Sequence, residues 1–232
     1  MITEEVIFKH PPAFEVQLVV SFPNNLEVAD ERSRFYNLVR AEFPAVVMPE
    51  QNKLAFDFAD YSLYTGDMAA RLEIGMNYFR VASARYPGFG KFRTLFLNTL
   101  GIFSQCYKFR GFTTLAMSYR NTLPLEAHHN YKDCFALEIR LPDELRSELF
   151  AAKGLLVFQK PEGFVTIELE PQLGDAGIKS YAMNLTFTTL PGDKINADEE
   201  SLAGRADVAH AYLEGFFFKV LKKQYLDYLR SK

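Results

Sequence analysis

Hydrophobic positions between Gly90 and Asn121 predict a long amphipathic helix that runs through a turn into a strand. Apolar side chains recur at the i, i+3, i+4 and i+7 spacing that places them on one helix face. These positions are Phe92, Leu95, Phe96, Thr99, Phe103, Cys106 and Tyr107. Gly111 interrupts this period, and Phe112 to Leu123 has the composition of a strand. The strand holds the polar cluster Ser118-Tyr119-Arg120-Asn121.

The residues before this helix predict three further strands and one more helix. Apolar and polar residues alternate over Phe14–Phe22, Lys53–Tyr64 and Met68–Tyr86, which predicts strands. Asp30 can cap a helix over Glu31–Phe43, where the apolar period is helical. The resulting order is strand, helix, strand, strand, helix, strand. That order is typical of the ferredoxin-like βαββαβ arrangement, a split βαβ with an antiparallel sheet and two helices on one face.

The second half of the chain predicts a β-meander followed by a long C-terminal helix. Turn residues Pro161-Glu162-Gly163 separate the two arms of a hairpin. The closing helix has acidic residues at its start and basic residues near its end, which suits the helix dipole. Gly204 is a candidate site for a kink in this helix. The predicted elements are strand Asp133–Leu141, helix Pro142–Ala152, hairpin strands Leu155–Gln159 and Phe164–Glu170, strand Tyr181–Leu190, and helix Asp198–Arg230.

These elements together predict an α+β protein with a mostly antiparallel sheet. A soft boundary falls between Leu125 and Lys132, where a polar loop holds His128 and His129. It divides the chain into a ferredoxin-like half, 1–125, and a half of antiparallel strands with a long C-terminal helix, 126–232. We expect the two halves to share one core.

Composition narrows the classes of function. The 232 residues are 48% hydrophobic and include 22 Phe, which is enough for a dense core and too apolar for disorder. The net charge of -3 gives no global attraction to nucleic acid or to an anionic membrane. Neither a signal peptide nor a spanning apolar stretch is found, so we predict a cytoplasmic protein that does not enter membranes. Cys106 and Cys134 are expected to be buried thiols.

Several of these landmarks resemble a sporadically distributed prokaryotic family of uncharacterised proteins. Its members open with Pro-Pro and a strand ending in Arg-Phe-Pro, and they carry a Leu-Arg-Tyr-x-Asn strand after an aromatic entry to the central helix. Ser21 and Ser118 stand where that family has arginine. The resemblance supports the fold and implies no activity. It rests on Pro11-Pro12, Ser21-Phe22-Pro23, Tyr86, Phe89, Phe92, the segment Met117 to Asn121, and the pair His210 and Phe217.

Tyr119, Asn121 and His210 form the best candidate for a ligand-binding site. Tyr119 and Asn121 share one face of their strand, and the last helix, which holds His210, must pack on a sheet. The pocket hypothesis fails if the side chains of Tyr119 and His210 lie more than about 10 Å apart, well beyond hydrogen-bond reach. The alternative is structural, because buried polar side chains also satisfy one another and the backbone.

Other polar features have simpler explanations. His128 and His129 are neighbours in an extended loop and point apart, so a solvated loop is favoured over a metal site. Cys106 lies on an apolar helix face, as an inert core thiol does. Gly88-Phe89-Gly90 lacks the residues of a phosphate-binding loop and predicts a turn. Basic residues interleaved with aromatics suggest a nucleic-acid face, which the acidic total disfavours. They are Arg71, Arg80, Arg85, Lys91, Arg93, Lys108, Arg110 and Arg120.

Three functional hypotheses remain open. The first is a non-enzymatic binding or interaction protein that self-associates, most simply as a homodimer, because aromatic content is high and sheet edges are available. The second is a small-molecule or peptide binder with a pocket between the sheet and the C-terminal helix. The third is an enzyme whose site has no recognised motif, a reading that the sequence favours least. No catalytic residue, cofactor or metal is predicted.

Overall fold

A nine-stranded antiparallel sheet forms the centre of the computed structural model, which describes residues 12–47, 60–125, 131–137, 153–174 and 177–231. Its strands lie in the order β2-β3-β4-β5-β1-β7-β10-β9-β8. β6 (Gly111–Phe112) and β11 (Ile195–Asn196) pair separately. The strands of the large sheet are β1 (Ala13–Ser21), β2 (Ala45–Val47), β3 (Tyr61–Tyr64), β4 (Ala70–Ile74), β5 (Tyr78–Ser83), β7 (Thr114–Pro124), β8 (Gly154–Lys160), β9 (Gly163–Gly174) and β10 (Gly177–Thr189).

The long helices pack on one face of this sheet. Along β7 the odd-numbered positions from Leu115 to Leu123 are buried against them, while Arg120 and Thr122 on the other face are exposed. Burial of alternate residues is the expected signature of an antiparallel sheet with one covered face. The helices are α1 (Leu26–Asp30), α2 (Arg32–Val39), α3 (Phe89–Cys106), α4 (Tyr131–Cys134), α5 (Glu199–Val220) and α6 (Lys223–Ser231).

The α+β prediction is confirmed, and the split βαβ unit is present. β1 lies between β5 and β7, and α3 connects these two strands across it. The long strand predicted over Met68–Tyr86 is wrong in detail, because β4 and β5 are two strands joined by a turn. A β-carbon at Gly75 would collide with the ring of Tyr78, so this glycine permits the turn. The first half therefore has more strands than the ferredoxin-like pattern.

Two predicted helices differ from their observed bounds. The helix predicted over Glu31–Phe43 is present as the shorter α2, which begins after Glu31 and not after a cap at Asp30. The separate helix α1 precedes it and is capped by Asn25, whose side-chain oxygen accepts from the Glu27 amide at 2.9 Å. The closing helix breaks at Leu221, and not at Gly204. Its break has a clear cause, because the chain from Cys134 to Ala136 pairs with Val220 to Lys222 through two backbone hydrogen bonds of 2.8 and 2.9 Å.

The second half contains the predicted hairpin and meander. β8, β9 and β10 are consecutive neighbours in the sheet, and β8 and β9 are joined by the two-residue turn Pro161-Glu162. The strand predicted over Asp133–Leu141 is wrong at its start, since residues up to Cys134 are helical. After it, Phe135 forms only an isolated bridge with Leu221. Residues 138–141 of that predicted strand, the helix Pro142–Ala152 and the first residues of Lys53–Tyr64 fall outside the described residues.

The sheet continues across the sequence boundary near residue 125. β7 pairs with β10 over nine residues, with Tyr119 opposite Leu185. One buried cluster includes Phe79, Phe103 and Leu213, which come from both sides of that boundary. Cys106 and Cys134 are buried free thiols.

Candidate functional site

Tyr86, Tyr119 and His210 form a hydrogen-bonded chain between the sheet and the helices. The hydroxyls of Tyr86 and Tyr119 lie 3.2 Å apart, and the Tyr119 hydroxyl lies 2.9 Å from Nδ1 of His210. Each tyrosine hydroxyl can donate and accept, and a neutral imidazole has one donor and one acceptor. The structure thus brings together two of the three residues predicted from the sequence and adds Tyr86.

Local structure explains why these side chains meet. Tyr119 is on the covered face of β7 and is 7% exposed. Gly88 has a φ of 89°, a left-handed conformation that favours glycine, and it ends the loop after Tyr86 and begins α3. The turn brings Phe89 onto the imidazole of His210, with ring centroids 3.9 Å apart and planes inclined by 17°. His210 is therefore held on one face by α3 and at its Nδ1 atom by β7.

Burial keeps the imidazole neutral. Desolvation lowers the pKa of His210 to about 4, and the nearby Asp207 carboxylate opposes this shift only in part. Asp207 is engaged by Arg93 of α3, whose Nε lies 2.8 Å from its carboxylate. Within the described residues, Nδ1 is the only ring nitrogen of His210 with a hydrogen-bond partner.

Asn121 does not join this chain. Its side-chain amide donates to the backbone carbonyls of Met183, at 3.1 Å, and Tyr119, at 3.4 Å. It is 3% exposed, and its contacts tie β7 to β10. The contacts of the Asn121 amide therefore fit the structural alternative, in which a buried polar side chain satisfies backbone groups.

A second notable surface is the outer edge of β8. This strand is the end of the sheet and pairs only with β9 among the described strands. Leu155 and Val157 are 65% and 60% exposed, and Leu156 is 37% exposed. A long apolar edge strand is uncommon on a protein surface, because its free backbone groups and apolar side chains invite another strand to pair. This surface was not predicted from the sequence; the uncharged apolar run Leu155-Leu156-Val157-Phe158 is the signal that could have indicated it.

Helix α5 holds this edge strand in place from the covered face. The rings of Phe158 and Phe216 have centroids 4.8 Å apart, and the Lys160 ammonium lies 5.0 Å from the centre of the Phe216 ring. At the turn, the Tyr212 hydroxyl donates to Glu162 at 2.6 Å. A partner strand would therefore meet an ordered edge, which lowers the entropy lost on binding.

The uncovered face of the sheet carries a ladder of alternating charges. Arg71 lies between Glu73 and Glu15, and Arg120 lies 3.3 Å from the other oxygen of Glu15. Arg80 pairs with Glu73 at the far end of the ladder. Three of the arginines considered for a nucleic-acid face are thus partly neutralised by carboxylates.

The other candidate residues from the sequence, Cys106 and the pair His128 and His129, give no evidence of a further site in the described residues. The thiol of Cys106 is buried, and this burial raises its pKa, which keeps it protonated. His128 and His129 lie outside the described residues. Across the described ranges, no group of three or more His, Cys, Asp or Glu side chains is arranged to hold a metal ion. Helices in those same ranges are too short or too polar to cross a membrane.

Comparison with known proteins identified no relative of this chain. No family model, no curated protein and no solved structure matches the chain. The resemblance described from the sequence therefore stays a prediction. The features that remain to suggest a function are the Tyr86–Tyr119–His210 chain and the outer edge of β8.

Proposed function

We propose that the protein is a cytoplasmic, non-enzymatic binding protein that self-associates through the outer edge of β8. The observation that carries this proposal is a seven-residue edge strand with Leu155 and Val157 mostly exposed. Two chemical forces act there in the same direction. Pairing gives the outward backbone groups partners, and it removes apolar side-chain surface from water.

The order of the edge supports this proposal as well. β8 is anchored to α5 by aromatic contacts and by the turn at Glu162. Recognition by strand addition needs such a preformed edge, because backbone hydrogen bonds supply the affinity and alternate side chains the specificity.

Sedimentation velocity over a wide concentration range tests the proposal. We expect a concentration-dependent dimer for the natural sequence. Leu155→Lys should shift it towards monomer, while Val46→Lys on the opposite edge strand, β2, is the matched control and should leave the dimer intact. A natural sequence that stays monomeric at every concentration would contradict the proposal.

A second candidate function is binding of a small molecule or peptide at the Tyr86–Tyr119–His210 chain. The 2.9 Å contact between Tyr119 and His210 supports this candidate, because a separation of more than about 10 Å would have excluded a shared pocket. Native mass spectrometry would detect a reproducible added mass on the natural protein. Loss of that mass in Tyr119→Phe, with the fold retained by circular dichroism, would support a site there. An unmodified mass under gentle ionisation would oppose it.

A further inference from the structure

We infer that a second copy of this chain pairs its β8 antiparallel to the first, about a two-fold axis at Val157, so that two nine-stranded sheets become continuous. This inference rests on the proposed self-association and specifies its interface and register. Its argument uses the backbone direction, the side-chain pairs and the charges at the ends of β8.

The turn at Pro161-Glu162 determines which backbone groups point outward. Lys160 and Gly163 flank the two-residue turn and face each other in the β8–β9 register. In such a turn the carbonyl of the first residue accepts from the amide of the fourth, so Lys160 points its backbone groups at β9. Backbone groups alternate in direction along a strand. Leu155, Val157 and Gln159 therefore direct their amide and carbonyl groups away from β9.

Only some registers satisfy these groups. Centring the axis on Val157 sets Val157 opposite its own copy and Leu155 opposite Gln159, so each outward residue meets an outward residue. All seven residues of β8 are then paired. A shift of one residue would oppose outward with inward groups. A shift of two residues towards the turn would set Leu155 opposite Pro161, which has no amide hydrogen.

Side chains fit the same register. On the covered face Leu156 would meet Phe158 of the second copy, and on the uncovered face Val157 would meet Val157. Apolar and aromatic pairs directly across an antiparallel ladder are the stabilising units of a sheet. These contacts would cover Val157 and Leu156, which are 60% and 37% exposed, while the more exposed Leu155 would lie opposite Gln159.

The lysines at the ends of β8 also favour the register centred on Val157 over a register shifted by one residue. Lys153 and Lys160 stand at the two ends of β8, and Lys153 pairs with Glu170 of its own chain at 2.7 Å. With the axis at Val157, Lys160 faces Gly154 and Lys153 faces Pro161. A register shifted by one residue would place Lys153 opposite Lys160, and like charges directly opposite destabilise a strand pair.

Disulfide trapping tests the inference. Directly paired residues have Cα atoms about 5 Å apart, within the range of about 4.4–6.8 Å that a disulfide spans. We expect Val157→Cys to form a disulfide-linked dimer under mild oxidation. Leu155→Cys alone should not, because its two copies would lie roughly 13 Å apart along the strand at about 3.3 Å per residue. A mixture of Leu155→Cys and Gln159→Cys should cross-link. The natural thiols are buried and serve as the background.

The outcomes separate this inference from the proposed function. If sedimentation shows a dimer, and Val157→Cys stays uncrosslinked while Leu155→Cys or the β2 control Val46→Cys is trapped, the register or the edge is wrong and self-association stands. If no β8 cysteine is trapped although the dimer persists, another surface forms it and the inference is overturned. If the natural protein is monomeric, both fail.

Discussion

The two edges of the nine-stranded sheet differ in length and apolar exposure. β8 has seven residues, and its alternate side chains Leu155 and Val157 are 65% and 60% exposed. β2 has three residues, with Val46 and Val47 43% and 47% exposed. A short edge strand offers few backbone groups to a partner. Pairing at one edge alone gives a closed two-fold dimer, whereas two matching edges would permit open-ended growth.

The support behind each edge differs as well. β8 is held by ring and ion contacts from α5 and by a hydrogen bond at its turn. Next to β2, the Tyr36 hydroxyl donates to the carbonyl of Pro44 at 3.2 Å. Under the proposed function, an edge serves as a binding surface when it is long, apolar and ordered at the same time. The following changes test each of these properties.

The largest effect is expected from a charge at the centre of β8. Val157→Lys would set two lysines opposite each other on the proposed axis and remove an apolar pair. We expect the dimer dissociation constant to rise at least about 100-fold, since like charges directly opposite and lost apolar burial act together. Sedimentation equilibrium measures it, with Val46→Lys as the control. Equal weakening by both substitutions would remove the distinction between the edges.

A smaller effect is expected from loosening β8 while its outward residues are retained. Phe158→Ala removes the ring contact with Phe216, and for a half-buried phenylalanine we expect a loss of about 2 kcal/mol in the free energy of unfolding. The dimer should weaken because the edge is less ordered. Urea denaturation and sedimentation measure the two quantities. Unchanged dimerisation despite the lost stability would show that order at the edge is unimportant.

Acid should destabilise the protein because His210, on α5, is buried in its neutral form. Burial lowers the pKa of His210 to about 4 in the folded state, against about 6.5 unfolded, so the unfolded chain binds more protons in that window. The His210 contribution is fully present above pH 6.5 and is lost as the pH falls to about 4, by roughly 1–2 kcal/mol after allowance for partial exposure.

Urea denaturation between pH 7 and pH 4 measures this dependence. His210→Gln retains a side chain able to hydrogen-bond to Tyr119 but does not titrate, so its stability should fall less over the window. Parallel pH profiles for the two proteins would contradict a neutral, buried His210.

The smallest effect is expected at the turn of β8. Tyr212→Phe removes the hydroxyl that donates to Glu162 and retains the ring. Because this contact is close to solvent, we expect a two- to threefold rise in the dimer dissociation constant, in the range of a single weak hydrogen bond. Glu162→Gln, which keeps an acceptor at the same position, is the control. If Glu162→Gln raised the dimer dissociation constant more than Tyr212→Phe, the hydrogen bond between these residues would not be the cause.

Much of the fold follows from periodicity, whereas the edges and breaks depend on distant contacts. Alternation predicts β7, β9 and β10 because one side of each strand is buried. The break at Leu221 has no local signal, because it arises from pairing with Cys134 to Ala136. Tyr119 and His210 could be linked from the sequence by packing alone, but Tyr86 depends on the turn at Gly88.

The position of β1 in the sheet also has a consequence for synthesis. β1 leaves the ribosome first among the described strands, yet its neighbours β5 and β7 begin at Tyr78 and Thr114. Until about a hundred further residues have emerged, its apolar side chains lack their partners, and such non-local pairing makes folding slow. The nascent chain is therefore exposed to aggregation longest at its own central strand.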